Sequence, residues 1–231
     1  MLLFIFPGLE IGLTMKRDSH LFACHKYLEA IGGELLTRLA KVDFRDTREI
    51  GSICGQVEDY VTTLENHARW EEEYIFNRFF TREELLPFFE KHANLESRGK
   101  KIIEVLKMIS NLAPPTRVCK GKLVYLDFRK FYASNLVHFY KEETSFLSLL
   151  QERATDDEIR AIDKPIYQGM SSDEIVEMLK QLLPALNITE KKNILHDLKN
   201  FNAANFGTAL PEIRKMLSKE EIAELLGEYV P

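Results

Sequence analysis

The stretch LVHFYKEETSFL, residues 136–147, decides how this chain is interpreted. As a helix, it places Leu136 and Phe139 on apolar faces and sets His138 and Glu142 four residues apart on one face. A packing stripe gains nothing from such a pair, because burying polar groups without partners costs about 2–7 kcal/mol each. The pair therefore points to a use other than packing.

Three further segments extend the pattern. HARWEEEYIF, residues 67–76, repeats it with His67 and Glu71. The third predicted helix places His92 on the stripe of Phe88, Leu95 and Ile102. The first predicted helix places His20 on the face of Cys24, Tyr27 and Ile31. The order along the chain is thus H, HxxxE, H, HxxxE. Helical rise places the four histidines at comparable distances from the connecting loops, so we expect them at one level.

Helical periodicity predicts an all-α fold, with an antiparallel up-down four-helix bundle at its centre. Thr81–Glu84 has the sequence of a capping box, with Pro87 either in the first turn or forcing a later start. NLAPPTRVCKGK, residues 111–122, is predicted to be a loop. The predicted long helices cover about 18–40, 48–80, 81–111 and 123–153.

The rest of the chain is predicted to flank this bundle. We divide it into an N-terminal arm (1–17), the bundle (18–153) and a helical C-terminal appendage (154–231). The appendage begins with an irregular connector and continues with three capped helices, within 171–186, 189–201 and 218–229. Met15 is an alternative start to Met1.

Composition narrows the class of protein. The 231 residues carry a formal net charge of −5 with interspersed charges, which does not favour a nucleic-acid partner. The three cysteines lack paired spacing, which favours a reducing, cytoplasmic location. The apolar N-terminal run lacks a basic region and contains Pro7 and Glu10, so we expect neither a signal peptide nor a membrane span.

The chemistry of the six core-facing groups indicates metal. Imidazole suits Fe, Zn and Cu, and carboxylates add hard oxygen ligands that can bridge two ions. Six donors exceed what one tetrahedral zinc ion needs. The sequence therefore predicts a two-metal site with nitrogen and oxygen ligands, and iron is the leading candidate.

The motifs HFYKEETSFL and HARWEEEYIF, with single histidines on the other two helices, resemble those of the hemerythrin-like (HHE cation-binding) family over about residues 15–153. The resemblance implies a four-helix bundle with two non-haem iron ions bridged by oxo or hydroxo. It also implies that His20, His67, His92 and His138 are terminal ligands and that Glu71 and Glu142 bridge the ions. It implies O2, a related diatomic molecule or peroxide as the small-molecule partner.

One position departs from the oxygen carriers of that family, which have a second histidine four residues after the one on the third helix. Glu96 stands there in this chain. An extra carboxylate ligand, or an open position, favours reaction with O2 or peroxide, or iron sensing, over reversible O2 carriage. A di-iron oxidase or peroxidase is the first alternative. A metal-free helical interaction protein that docks partners through the appendage is the second.

Several neighbouring residues have a structural interpretation. His25 competes with His20 as a ligand, but its face also carries Glu29 and Gly32, so we predict it at the surface. Cys24 is predicted to be a buried structural thiol. Solvent-facing positions, or hydrogen bonds to the ligand histidines, are predicted for Glu72, Glu73 and Glu143. Core packing is predicted for Trp70 and Tyr74, and a surface position for His196.

Overall fold

The structure is a computed structural model that describes residues 21–227. Helices dominate this range and no strand occurs in it, so the prediction of an all-α protein is confirmed for these residues. Each of the four long helices packs on two of the others: α1 on α2, α2 on α3, α3 on α4, and α4 on α1. Their bounds are α1 Ala23–Leu39, α2 Thr47–Glu71, α3 Leu86–Ile109 and α4 Pro114–Lys141.

Two of the long helices, α2 and α4, continue into π-helical turns beside the glutamates of their motifs. After Glu71, α2 continues as a π-helical turn, Glu72–Phe76, and then as Asn77–Phe79. After Lys141, α4 continues as the π-helical turn Glu142–Phe146 and then as Leu147–Arg153. Such turns bond i to i+5 and occur frequently at functional sites. Neither turn was predicted from the sequence.

The predicted loop at residues 111–122 is wrong for most of its length. Helix α4 begins at Pro114, with prolines in its first turn, where a missing N–H is not needed and the fixed φ favours helix. Helix α3 begins at Leu86, the later start that Pro87 allowed. Thr81 and Glu84 do exchange capping-box hydrogen bonds, but they close a turn before the helix.

The C-terminal part contains more helix than predicted. The prediction of an irregular connector after residue 153 is wrong, because Thr155 and Glu158 form a capping box that starts a short helix there. One helix, Ala203–Met216, was missed altogether, and it contains Pro211 in its interior. These helices are α5 Asp156–Arg160, α6 Lys164–Gly169, α7 Ser172–Leu182, α8 Ile188–Phe201, α9 Ala203–Met216 and α10 Lys219–Leu226.

Three apolar clusters hold these elements together. The first lies among the four long helices and includes Leu64, Leu95 and Phe139. The second includes Phe22, Phe76 and Phe146 and covers the ends of the same helices. The third belongs to the C-terminal helices and also takes in Ala23 of α1. Between residues 21 and 227, no helix has the length and apolar character to cross a bilayer.

The C-terminal helices rest on α1, the helix that enters the candidate site. Lys26 Nζ lies 2.6 Å from Glu190 Oε1, and the Tyr27 hydroxyl donates a hydrogen bond to Gln181 Oε1 at 3.0 Å. The division of the chain at residue 153 stays a prediction. The contacts show that the helices after it share a surface with α1.

Candidate metal centre

A layer of histidines and glutamates lies between the first and second apolar clusters. His25, Glu71, His92, His138 and Glu142 are all buried, and Glu71 and Glu142 are 1% and 0% exposed. His67 joins them with a side chain that is 10% exposed. The structure therefore brings together five of the six predicted ligand residues, together with His25. The sixth, His20, lies outside the described residues.

The surface position predicted for His25 is wrong, because this side chain is 0% exposed. Its ring stacks between two phenylalanines, with centroids 4.9 Å from Phe22 and 4.3 Å from Phe139. Helix α1 buries His25, Leu28, Gly32, Leu35 and Leu39. That face differs from the stripe through Tyr27 and Ile31 on which the choice of His20 depended. Helix α1 has apolar residues on two faces, so periodicity alone could not choose between the histidines.

His25 and His67 form the first histidine pair. Their Nε2 atoms lie 2.9 Å apart and point to the same place. Both Nδ1 atoms are engaged elsewhere: that of His25 lies 2.9 Å from Glu143 Oε1, and that of His67 lies 3.8 Å from Cys24 Sγ. Since a carboxylate only accepts, the His25 Nδ1–H donates to Glu143. The two Nε2 atoms then face each other, and a shared proton or a cation must separate their lone pairs.

His92 and His138 form the second pair, with ring centroids 4.7 Å apart. The His92 ring stacks on Phe76 at 5.5 Å, which fixes its orientation. Its Nδ1–H donates to Glu72 Oε1 at 2.9 Å, and its Nε2 therefore faces the interior. His138 Nε2 lies 2.9 Å from Glu142 Oε1 without making a hydrogen bond to it.

Glu71 lies between the two pairs and turns one oxygen towards each. Its Oε1 is 3.3 Å from His67 Nε2 and 3.7 Å from His25 Nε2. Its Oε2 is 3.4 Å from His92 Nε2. Both oxygens are buried without a hydrogen-bond partner.

Glu142 repeats this arrangement from the opposite motif. Its Oε2 is 3.6 Å from His25 Nε2, and this oxygen is also buried without a hydrogen-bond partner. Its Oε1 is 3.3 Å from His92 Nε2, close to the contact with His138 described above. Two groups of potential ligands thus share both carboxylates: one contains His25 and His67, and the other contains His92 and His138.

The charges of this layer depend strongly on each other. Burial alone would lower the pKa of His25, but the carboxylates of Glu143 and Glu71 outweigh it and raise the pKa to about 9. Burial opposes the same effect at His92, where the carboxylates of Glu142, Glu71 and Glu72 raise the pKa to about 11.

The other two shifts follow the same logic. Against burial, Glu71 and Cys24 raise the pKa of His67 well above its usual range. Burial would raise the pKa of Glu71, but the neighbouring His67, His25 and His92 hold it well below its usual range. Without metal, protons on the histidines therefore supply the positive charge that the buried carboxylates need.

These residues fit metal ligation, in two groups that share both carboxylates. Buried polar atoms are normally hydrogen-bonded, yet three carboxylate oxygens and His138 Nε2 are not. Each carboxylate turns its two oxygens to different histidine pairs. The mixed imidazole and carboxylate donors suit first-row transition metals, and the Nδ1 hydrogen bonds orient ring nitrogens as they do around bound metals.

The remaining candidate residues lie around this layer. Of the two alternatives predicted for Glu72 and Glu143, the structure shows hydrogen bonds to histidines: Glu72 accepts from His92 and Glu143 from His25. Glu96 is outside the cluster: its side chain is 48% exposed and forms an ion pair with Lys100. Cys24 is only half-buried, so its prediction as a buried thiol is wrong. Glu73 and His196 are exposed, and Trp70 and Tyr74 are half-buried against the second apolar cluster.

The chain matches no protein-family model, no curated protein and no solved structure. The resemblance of its two motifs to hemerythrin-like proteins therefore stays a prediction. The buried cluster is an observation independent of that resemblance.

A cavity of about 290 Å³ lies beside the cluster, and His67, Glu71, His92 and His138 form part of its wall. It is lined by α2, α3 and α4 and was not predicted from the sequence. Helical spacing can place these residues on facing stripes, but it does not reveal where facing side chains leave space.

Proposed function

We propose that this protein binds two metal ions through His25, His67, Glu71, His92, His138 and Glu142. The observation that carries the proposal is the arrangement of the two buried carboxylates, each with one oxygen towards each histidine pair. Several of these atoms lack a hydrogen-bond partner. A buried polar atom without a hydrogen-bond partner costs about 1–3 kcal/mol, so the fold bears a penalty that metal ligation removes.

We propose further that the four long helices form a hemerythrin-like antiparallel bundle and that the ions are non-haem iron. The closed order of helix contacts and the H, HxxxE, H, HxxxE order support this. His25 takes the position that the sequence assigned to His20. Iron in such a site supplies redox chemistry and affinity for O2 or related small oxidants, so the function we favour is binding or sensing of those molecules, or of iron.

The chain's own residues have separate tasks in this proposal. The imidazoles would hold the ions, and Glu143 and Glu72 keep His25 and His92 in the tautomer that turns Nε2 towards the layer. Phe22, Phe76 and Phe139 stack on or flank the rings and exclude water from the layer. Glu96 and Lys100 are exposed and paired with each other, and they are not ligands in this proposal.

The decisive experiment is metal analysis of protein purified without oxygen, with its absorption spectrum before and after exposure to O2. We expect close to two iron ions per chain and new ferric absorption after exposure. The double variant His67→Ala/His138→Ala should lose the metal and part of the stability. The surface variant His196→Ala is the matched control and should keep both. Protein without stoichiometric metal, together with an unchanged stability of the double variant, contradicts the proposal.

A second pair of variants tests the first-helix ligand. We expect His25→Gln to lower the metal content and His20→Gln to leave it unchanged, because His25 already completes the first pair. The opposite result assigns the ligand to His20 and contradicts this part of the proposal.

The cavity favours one alternative, an oxidase or peroxidase on the same scaffold, because it offers more space beside the cluster than O2 needs. Multiple turnovers with peroxide or a reductant would support the enzyme. A reversible spectral change during O2 cycling, without turnover, would support the binder.

A further inference from the structure

The cavity beside the histidine and glutamate layer is large enough for an organic molecule. Its volume is about 290 Å³, and an apolar cavity of about 150 Å³ is enough to bind benzene. A molecule with more atoms than one aromatic ring therefore fits, and a diatomic ligand would leave most of the space unfilled. Ligand sites of this kind are concave and mostly apolar, with a few polar groups that fix orientation.

Part of the buried wall is apolar and adjoins the histidines and glutamates of the layer. Val61, Leu64, Leu95, Phe131 and Phe139 all line the cavity and are between 2% and 9% exposed. These side chains offer no hydrogen bond to a polar ligand. A ligand with an apolar body gains free energy here because it removes this surface and its own from water.

The exposed part of the wall carries charges, and its carboxylates already have partners. Glu72 accepts a hydrogen bond from His92. Glu65 and Glu96 both pair with Lys100. Lys100 thus offsets one of the two charges of Glu65 and Glu96.

Two arginines, Arg69 and Arg82, also line the cavity. Arg69 donates a hydrogen bond to the neutral Asn66 side chain at 3.2 Å, and the Arg82 guanidinium lies 4.6 Å from the centre of the Phe89 ring. Within residues 21–227, neither forms an ion pair with a carboxylate. Both side chains are exposed and line the cavity, so the mouth offers two guanidinium groups to a ligand.

We propose that this cavity binds a small organic carboxylate. The apolar body lies among Leu64, Leu95 and Phe131, and the carboxylate pairs with Arg69 and Arg82, whose planar donors match its geometry. The binding free energy comes from apolar burial and from these two side chains, so the site exists with or without metal. The bound molecule borders His67 and His138 and limits access to the metal layer.

The test uses the full chain, both as purified and after removal of metal by a chelator. The probes are 3-phenylpropionate and its neutral amide, 3-phenylpropanamide, which have nearly the same shape. Binding is measured by calorimetry and by the fluorescence of Trp70, the single tryptophan, whose ring stacks near His67 with centroids 6.0 Å apart. We expect the acid to bind roughly tenfold more tightly than the amide in both preparations, because hydrogen bonds to charged groups contribute about 1.5–3 kcal/mol.

Variants assign the binding to this cavity. The double variant Arg69→Gln/Arg82→Gln should weaken binding of the acid by roughly tenfold and leave the amide unchanged. Arg45→Gln, an exposed arginine on the loop between α1 and α2, is the matched control and should change neither. Ala68→Leu adds bulk to a half-buried wall position and should weaken both probes.

Three results would overturn the proposal: equal affinity for acid and amide, an unchanged affinity of the double arginine variant, or binding of the acid that disappears with the metal. The last would mean that the acid coordinates the metal directly. Metal content is measured on the same samples. Protein that binds the acid without binding metal would contradict the metal proposal alone, and the reverse would contradict this one alone.

Discussion

Metal binding should release protons, because the metal-free layer is held together by protonated histidines. Imidazole must be neutral to bind a metal through Nε2. In the metal-free protein, nearby carboxylates raise the pKa of His25 to about 9 and that of His92 to about 11. They also raise the pKa of His67 well above its usual range. Because His25 and His67 share one proton between their Nε2 atoms, this pair carries one extra proton near pH 7.5, and His92 carries another.

The magnitude follows from this count. Loading the site near pH 7.5 should release about two protons per chain, one from the His25–His67 pair and one from His92. Glu71 contributes none, because its pKa lies well below its usual range. The apparent affinity for metal should therefore rise steeply between about pH 6.5 and 8.5.

The assay is calorimetric titration of chelator-treated protein with Co(II), in buffers with different enthalpies of ionisation, which yields the number of protons exchanged. His25→Gln should lower the count by about one. The surface variant His196→Gln is the control and should leave it unchanged. Release of fewer than about one proton, with an affinity that does not depend on pH, would refute the reasoning that the metal replaces protons in this layer.

Three further predictions concern stability and the surroundings of the site. The metal-free protein should be most stable between about pH 4.5 and 6.5. The raised pKa of His25 stabilises the fold fully below pH 6.5, and this stabilisation is lost as pH rises through about 9. The lowered pKa of Glu71 stabilises the fold above pH 4.5. Urea unfolding with chelator present should show a loss of at least about 2 kcal/mol from pH 5.5 to 9, and constant stability would contradict it. Gly121→Ala should destabilise the protein by about 1–3 kcal/mol, since a Cβ would lie 2.2 Å from the Phe44 ring. Gly51→Ala, with open space around it, should stabilise by up to about 1 kcal/mol, and equal effects in urea unfolding would contradict the packing argument. Cys24→Ala should weaken metal binding by about tenfold in chelator competition, because it removes the acceptor for His67 Nδ1, and Cys24→Ser should preserve most of it; equal losses would contradict this role.

The sequence predicted the helical class and most of the cluster because both depend on spacing along single helices. His67 with Glu71 and His138 with Glu142 lie four residues apart, so each pair shares a face whatever the neighbouring helices do. His92 lies on a stripe with one apolar face, which left no alternative. These positions needed only the period of the helix.

The errors arose where a neighbouring element decides the outcome. Helix α1 has one face towards the layer and another near the C-terminal helices, so both His20 and His25 lay on plausible stripes. Pro114 and Pro115 were interpreted as loop residues although the first turn of a helix accepts proline. Glu96 matched a motif position, but it lies on the exposed side of α3 and pairs with Lys100. The cavity and the arginines at its mouth depend on distances between helices, which no single segment contains.

The two motifs carry more information than an HxxxE pair, because each continues with a second glutamate. Glu71 and Glu142 enter the layer, whereas the next residues, Glu72 and Glu143, accept hydrogen bonds from the lone histidines of α3 and α1. A π-helical turn begins at the second glutamate of the first motif, Glu72, and at the first glutamate of the second motif, Glu142. A turn with i to i+5 bonds is wider than an α-turn and spreads consecutive side chains over a different arc.

That geometry gives the HxxxEE sequence one physical meaning at both positions. The histidine supplies a ring nitrogen, the first glutamate supplies two buried oxygens to both pairs, and the second glutamate orients the histidine of a neighbouring helix. Each motif thereby fixes a histidine and a glutamate of the layer and the glutamate that orients the histidine of a neighbouring helix, and His25 and His92 complete the layer. The layer therefore has two similar halves, which differ in the contact between Cys24 and His67.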